Sequence, residues 1–509
     1  MKKSLVSGIT LILFALPGSL ALPAGSTANR AVGTAPVLLP AETCISCHTG
    51  VVTPAGEDIS FGSQWRASMM ANSARDPYWM ATVRREAGDH PRHQAVIEDE
   101  CSICHMPMAT YQRRLAGGQG QVFNYLPGSV TADPLAPLAA DGVSCTLCHQ
   151  LGAANLGQPS TFTGGYSILA SAPGAAARII GPFLPDQGRQ RIMSSSSGYT
   201  PAEGAHLGQA EVCASCHTLI TAAIGPNGET VGELPEQVPY LEWKESAYRT
   251  SQPCQACHLP EVAGDARVTP VLGELRPRVS AHTFLGGNAF MMRILNRYRQ
   301  ELGVPARPAE LDAAAARTER HLATDAAEVS LSAVRREGHE LLAEVEVRNL
   351  AGHKLPTAYP SRRAWLHVTV RDRNQALVFE SGAVQPDGQI EGNDNDLDAA
   401  RHEPHHLEIS RGDQVQIYEA ILGDPRGEVT TGLLTAVQYL KDNRLLPRGF
   451  DKQRAPKEVA VSRQAKEDAD FTQGGDKIRF RLDLGGAEGP FTVEARLCYQ
   501  SIGYRWARN

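Results

Sequence analysis

No stretch of this 509-residue chain is long and apolar enough to span a bilayer. The run from Leu5 to Leu16 is 12 residues, against the ~20 that a membrane helix needs. A mature protein held by a transmembrane helix is therefore not expected. Basic charge is not in excess: the formal charge is -6, and losing Lys2 and Lys3 takes it to -8. Nucleic-acid partners, which call for a basic stripe, are not indicated. Aromatic residues are only 6% of the chain, while there are 47 Gly and 33 Pro. This composition suits much irregular chain and a core built partly of something other than side chains.

The N-terminus has the features of a secretory signal peptide over residues 1–21. Lys2 and Lys3 precede the apolar run, Pro17 and Gly18 break it, and Ser19-Leu20-Ala21 offers small residues for cleavage. No cysteine lies just after the cleavage region, so a lipid on the new N-terminus is not indicated. The expected location is periplasmic or extracellular.

Eleven cysteines in an exported chain would ordinarily suggest a disulfide framework. Their spacing points elsewhere. Ten fall in five copies of Cys-x-x-Cys-His: Cys44, Cys47, His48; Cys101, Cys104, His105; Cys145, Cys148, His149; Cys213, Cys216, His217; and Cys254, Cys257, His258. This is the c-type haem attachment signature. Two thiols three residues apart can both add to porphyrin vinyl groups, and the histidine that follows is placed to take the iron as proximal ligand. Zinc ribbons need no histidine after each pair, and an odd number of pairs fits four-cysteine sites badly. Thioredoxin-like motifs come one to a domain in a βαβ setting. The cofactor expected is five covalently bound haems c. Cys498, the eleventh cysteine, reads as a buried strand residue.

The motifs start at 44, 101, 145, 213 and 254, without a fixed period, which excludes a solenoid. Only short helices are expected around them, and the Gly-, Ala-, Ser- and Pro-rich stretch from Leu151 to Gly204 reads as a long loop. Phe290 to Leu302 and Pro308 to Thr324 read as helices. Beyond them, period-two runs appear at Val329 to Val334, Leu341 to Val347, Trp365 to Val370, Val415 to Ala420, Ile478 to Leu484 and Phe491 to Tyr499. Alternation bounded by Gly, Asn and Pro argues for an antiparallel β-sandwich. The expected class is α+β, with a mainly α and irregular pentahaem domain over 22–325 and a β-sandwich domain over 326–509.

Trp65-Arg66-Ala67-Ser68-Met69-Met70, Asp76-Pro77-Tyr78-Trp79, Cys104-His105-Met106-Pro107-Met108, Cys216-His217-Thr218-Leu219 and Trp243-Lys244-Glu245-Ser246 resemble bacterial multihaem cytochromes c. The relatives are those allied to the tetrahaem carriers of ammonia oxidisers and, more distantly, to hydroxylamine oxidoreductase and pentahaem nitrite reductase. Gly352-His353-Lys354-Leu355-Pro356-Thr357 resembles the β-domain that many of them carry. The resemblance implies haems stacked in close pairs, with imidazoles on both faces of most irons. In many relatives the Trp-x-x-Ser-x element ends in a distal-ligand histidine, where this chain has Met70 and Tyr248.

Candidate distal ligands follow from that resemblance. His206 precedes Cys213 by seven residues, and His282 sits in a segment similar to a distal-ligand segment of the family. Of His90 and His93, His90 matches better. Met70 is either a thioether ligand or core filling. His353 is either a ligand reaching from the β-domain or part of a structural loop, and His321 reads as a solvent residue. Asn393 to Asp398 has the acid density of a calcium loop but lacks the glycine and glutamate of an EF-hand, and reads better as a solvated turn.

Two functions are open. One is a carrier passing electrons between redox partner proteins. The other is an oxidoreductase acting on a small nitrogen or sulfur compound at one open iron. All five motifs end in His, whereas the related nitrite reductases replace the proximal histidine of the catalytic haem with lysine, and this favours the carrier. Tyr248, standing where a ligand histidine stands in relatives, keeps the second reading open.

Overall fold

A computed structural model describes residues 38–129, 132–169 and 176–508. The expected signal peptide lies outside the described residues. The fold is α+β, and among the described residues no helix is long and apolar enough to cross a membrane.

The helices near the second motif are longer than the sequence led us to expect. Pro77–Asp89 has 13 residues and Gln94–His105 has 12. The first starts sharply because the Asp76 carboxylate accepts hydrogen bonds from the amides of Tyr78 and Trp79, with Pro77 in the first turn. The two helices bury Val83, Ile97 and Ile103 in one cluster with Met106, Met108 and Leu147, and this shared core supports their length. The other motifs occupy single turns, such as Cys145–Cys148 and Cys254–His258.

The stretch 151–204 is not wholly a loop. Strands β1 (Ala177–Gly181) and β2 (Tyr199–Glu203) pair in parallel, and helix Gln187–Ser197 connects them. Asp186 caps that helix, and Gly198 ends it at φ 78°. These two caps make the serine run Ser194 to Ser197 helical. After the fourth motif, β3 (Leu219–Ile224) and β4 (Thr230–Gln237) form a hairpin. The two expected C-terminal helices are found at Ala289–Arg297 and Pro308–Thr324, joined through Met291, Leu295, Leu311 and Ala315.

All six expected strand regions are strands. They fall in β5 (Ala327–Glu337), β6 (Glu340–Asn349), β7 (Arg363–Arg371), β10 (Ile417–Gly423), β13 (Gly475–Asp483) and β14 (Thr492–Gln500), and four short strands not expected from the sequence join them: β8 (Leu377–Ser381), β9 (Glu408–Ile409), β11 (Val429–Thr430) and β12 (Gln438–Asp442). One sheet runs β5-β6-β13-β9. The other follows β11-β10-β7-β14, with β12 and β8 attached to β10 and β7. The pairing is not purely antiparallel, since β9 lies parallel to β13. Alternate residues of β6, Leu341 to Val347, enter one core with Leu366, Val368, Tyr418 and Phe480. The Leu, Val and Phe side chains among them each contribute about 1.5–3 kcal/mol by leaving water. Val238, from the segment before the fifth motif, joins the same core.

Asn393 to Asp398 is a one-turn structural corner rather than the solvated turn expected, because Asn393, Asn395 and Asp396 are buried. The Asp396 carboxylate is held by Arg363 at 2.7 and 2.9 Å, and Asp394 pairs with Arg401 at 2.5 Å. Cys498 is half-buried in β14, opposite Trp365.

Candidate functional site

None of the ten motif cysteines is fully buried, which is unusual for a residue type normally found deep in cores. The motif histidines likewise keep accessible surface, although burial lowers the pKa of four of them. The side chains are enclosed yet line internal surface. Burial pushes His105 and His258 down to about 4, so both imidazoles are neutral at physiological pH, the form that binds a metal.

Four of the five motif imidazoles are oriented by distant backbone. Nδ1 of His48 donates to Val268 O at 2.7 Å, that of His105 to Ser73 O at 2.9 Å, and that of His149 to Ile180 O at 2.5 Å. Nδ1 of His258 donates to Leu285 O. With Nδ1 engaged, Nε2 is the nitrogen left to meet a metal, the arrangement usual for ligating histidines. Trp79 stacks on His105 with centroids 4.3 Å apart and planes within 3°, fixing that ring further.

Two more imidazoles face members of this set. His282 lies 6.3 Å from His149, centroid to centroid, with planes 10° apart. His353 lies 6.2 Å from His258, with planes 15° apart. These separations are too wide for stacking contact. A metal–imidazole bond is about 2 Å, and a ring centroid stands roughly 1 Å behind its nitrogen. Two coplanar rings on opposite faces of one metal therefore have centroids roughly 6 Å apart. His282 donates from Nδ1 to Ser280 O at 3.1 Å and His353 from Nδ1 to Lys354 O at 2.8 Å, again leaving Nε2 for a metal. Burial pushes His282 to about 4 and lowers His353 as well. The donor set would suit a haem iron at the third and fifth motifs, held by His149 with His282 and by His258 with His353.

Other candidates are placed less favourably. His206 has Nε2 on Leu151 O at 2.9 Å, so any metal bond would have to be made by Nδ1. His90 Nε2 is buried and has no partner among the described residues. It stands at the far end of helix Pro77–Asp89 from Trp79, which stacks on His105. That is about 16 Å of helical rise, beyond the reach of a ligand shared with the second motif. His93 is packed under Gly228, where a Cβ would come within 2.5 Å of its Nε2. Met70 packs against the core that holds Ile103, Met106 and Leu147, and its carbonyl accepts from Val143 N at 3.0 Å. His321 pairs with Asp325 at 3.1 Å. Tyr248 donates its hydroxyl to Leu350 O at 3.2 Å and packs beside Gly352, next to His353.

Thiols of different motifs lie close enough to shift one another's ionisation: Cys44 with Cys145, Cys104 with Cys216, and Cys213 with Cys254. Cys148 is also close enough to Cys213 and Cys216 to influence both. The first motif therefore adjoins the third, and the fourth adjoins the second, third and fifth. Sequence reasoning missed the orienting carbonyls and this pattern of neighbours. A backbone carbonyl acts whatever its side chain, so it leaves no signal in residue type.

No protein-family model and no curated protein sequence matches the chain. Among solved structures, a penta-haem cytochrome c552 from Thermochromatium tepidum is similar, with a TM-score of 0.51 and 16% identity over 92% of this chain and 93% of that one. The fold is thus similar to that of a penta-haem cytochrome c along nearly its whole length.

Proposed function

We propose that this chain binds five haems c through its five Cys-x-x-Cys-His motifs and carries electrons between redox partner proteins outside the cytoplasm. The facing imidazole pairs His149–His282 and His258–His353 carry this reading, because an iron with two imidazoles has no position left for substrate. Haem supplies reversible one-electron chemistry when bound. The chain supplies the thiols, the neutral imidazoles and the carbonyls that orient them. Residues 22–325 form the haem-binding domain and 326–509 a β-sandwich domain with no attachment motif of its own. His90, His206 and Met70 are the further ligand candidates, with His90 serving an iron other than that of the second motif. The order of neighbours among the thiols makes the fourth motif the junction of the set. The likeness to a penta-haem cytochrome supports the same number of haems here.

The enzymatic reading needs an iron without a second imidazole. It is supported by His217, against which no second imidazole ring is stacked among the described residues. Denaturing mass spectrometry of the exported protein should show five added haem masses. Electron paramagnetic spectra with carbon monoxide titration then separate the readings. Predominantly low-spin haems that do not bind carbon monoxide support the carrier. Stoichiometric carbon monoxide binding together with turnover of nitrite or hydroxylamine would replace it with the enzyme.

A further inference from the structure

His353 is supplied by the C-terminal part of the chain, and the loop that presents it is anchored by charge. Glu242 lies on helix Pro239–Lys244, twelve residues before Cys254 of the fifth motif, and its side chain is fully buried. Lys354, Asp442 and Arg444 lie across the interface, with side chains 0%, 2% and 6% exposed. Lys354 Nζ donates to Asp442 Oδ2 at 2.6 Å, and Arg444 donates to both Asp442 oxygens at 2.9 and 2.8 Å. Arg444 also stands 2.9 Å from Glu242 Oε1. The other Glu242 oxygen, Oε2, accepts from the Lys354 amide at 3.1 Å and from the Thr357 hydroxyl at 2.5 Å.

Two features tie this cluster to the His353 ring. The first is charge. The C-terminal members carry two cations and one anion, and Glu242 alone supplies the missing negative charge. Buried ions are tolerated only when paired and hydrogen-bonded, so the C-terminal group is neutralised only against the helix that leads into the fifth motif. The second is backbone geometry. The amide that follows His353 is held by Glu242, the carbonyl of His353 by Asn349 Nδ2 at 2.8 Å, and the ring Nδ1 by Lys354 O at 2.8 Å. Each bond fixes the peptide from which the imidazole hangs, and the ring then meets His258 at 6.2 Å. Tyr248 and Trp243 pack against the position beside Gly352 and limit sideways movement of the loop.

We infer that Glu242, with Arg444, Asp442 and Lys354, forms a positioning cluster that sets His353 as the sixth ligand at the fifth motif, so that docking of the C-terminal domain decides whether that iron is closed. The inference rests on the reading of His353 as a ligand. Ligation at this motif is then a property of the domain interface, whereas His282 reaches the third motif from within the haem-binding part. Domain separation would open the fifth site and leave the third unchanged.

The test compares His353→Ala, Glu242→Gln and the double variant as purified holoproteins, each first shown by mass to carry the parent's haem complement. His353→Ala should open one iron, giving one carbon monoxide per chain and a matching high-spin signal. Glu242→Gln should produce the same signal in part, Glu242→Asp should recover most of the low-spin form, and the double variant should show no more open iron than His353→Ala. If His353→Ala leaves every haem low-spin, the ligand reading fails and this inference with it. If His353→Ala opens an iron and Glu242→Gln does not, the positioning role alone is refuted. Should Glu242→Gln yield no holoprotein, Thr357→Val removes one bond to the same oxygen. A reduction potential of the fifth haem displaced from the parent supports the inference, and an unchanged potential overturns it.

Discussion

Substituting His282→Ala should open the iron of the third motif and no other. In the parent, the His282 ring faces His149 at 6.3 Å, rests against Phe61 at 4.6 Å and meets Phe284 edge-on at 6.0 Å. Its backbone amide donates to Gln64 Oε1 at 2.7 Å, a bond that alanine keeps. The folding cost is therefore mainly the two aromatic contacts at about 0.5–1.5 kcal/mol each, roughly 1–3 kcal/mol together. That is small against the 5–15 kcal/mol typical of a folded domain, so the chain should remain folded. No nearby ring replaces the lost ligand. His48 stands beyond Phe61, with centroids 6.0 Å apart, and its Nδ1 is held by Val268 O. One haem in five should turn high-spin, with carbon monoxide binding rising to one per chain, and added imidazole should restore the low-spin spectrum. Electron paramagnetic resonance and carbon monoxide difference spectra read both. If every haem stays low-spin, the facing geometry is not ligation at this motif. If two or more irons open, His282 is holding neighbouring sites as well.

Burial raises the Asp76 carboxyl from 3.8 to about 6. The folded state then holds a proton that the unfolded chain has lost between these values, so this group makes stability fall as pH rises from about 4 to about 6 and adds no slope above. The two-unit shift corresponds to on the order of 3 kcal/mol. Asp76→Asn keeps a cap of similar quality, and melting midpoints from pH 4 to 7 should show a flatter profile; an unchanged slope would mean Asp76 does not titrate in this range. Asp396→Ala should cost about 3–5 kcal/mol because it strands the buried Arg363 charge, while added calcium should leave the parent's melting temperature unchanged because Asp394 and Asp396 are already paired with Arg401 and Arg363. A loss under 1 kcal/mol, or a calcium-dependent rise, would contradict this. Residues 326–509 expressed without cytochrome maturation should give a β-type circular dichroism spectrum with no covalent haem, and a helical or coil spectrum would place the boundary or the fold elsewhere.

The proposed attachment chemistry rests on residue type and spacing alone, because a thioether and a proximal ligand need particular atoms at a fixed local spacing. The C-terminal strands were legible, since one buried face imposes period-two alternation, as Leu341 to Val347 show. Local pattern failed where caps and packing ruled: the Gly- and Ser-rich stretch around β1 and β2 became a strand–helix–strand unit through Asp186, Gly198 and a parallel pairing between distant strands. Distal partners were less legible still. Whether a histidine meets an iron depends on a ring brought from far along the chain, and His282 and His353 are separated from His149 and His258 by more than ninety residues each. His90 was preferred to His93 by resemblance, yet it stands at the far end of its helix from Trp79, which stacks on the second motif's histidine. The orienting carbonyls of Ser73, Ile180, Val268 and Leu285 and the buried charges around Glu242 were decided by tertiary structure alone. A backbone oxygen has no residue type, and a buried charge is tolerated only because a partner, anywhere in the sequence, is folded against it.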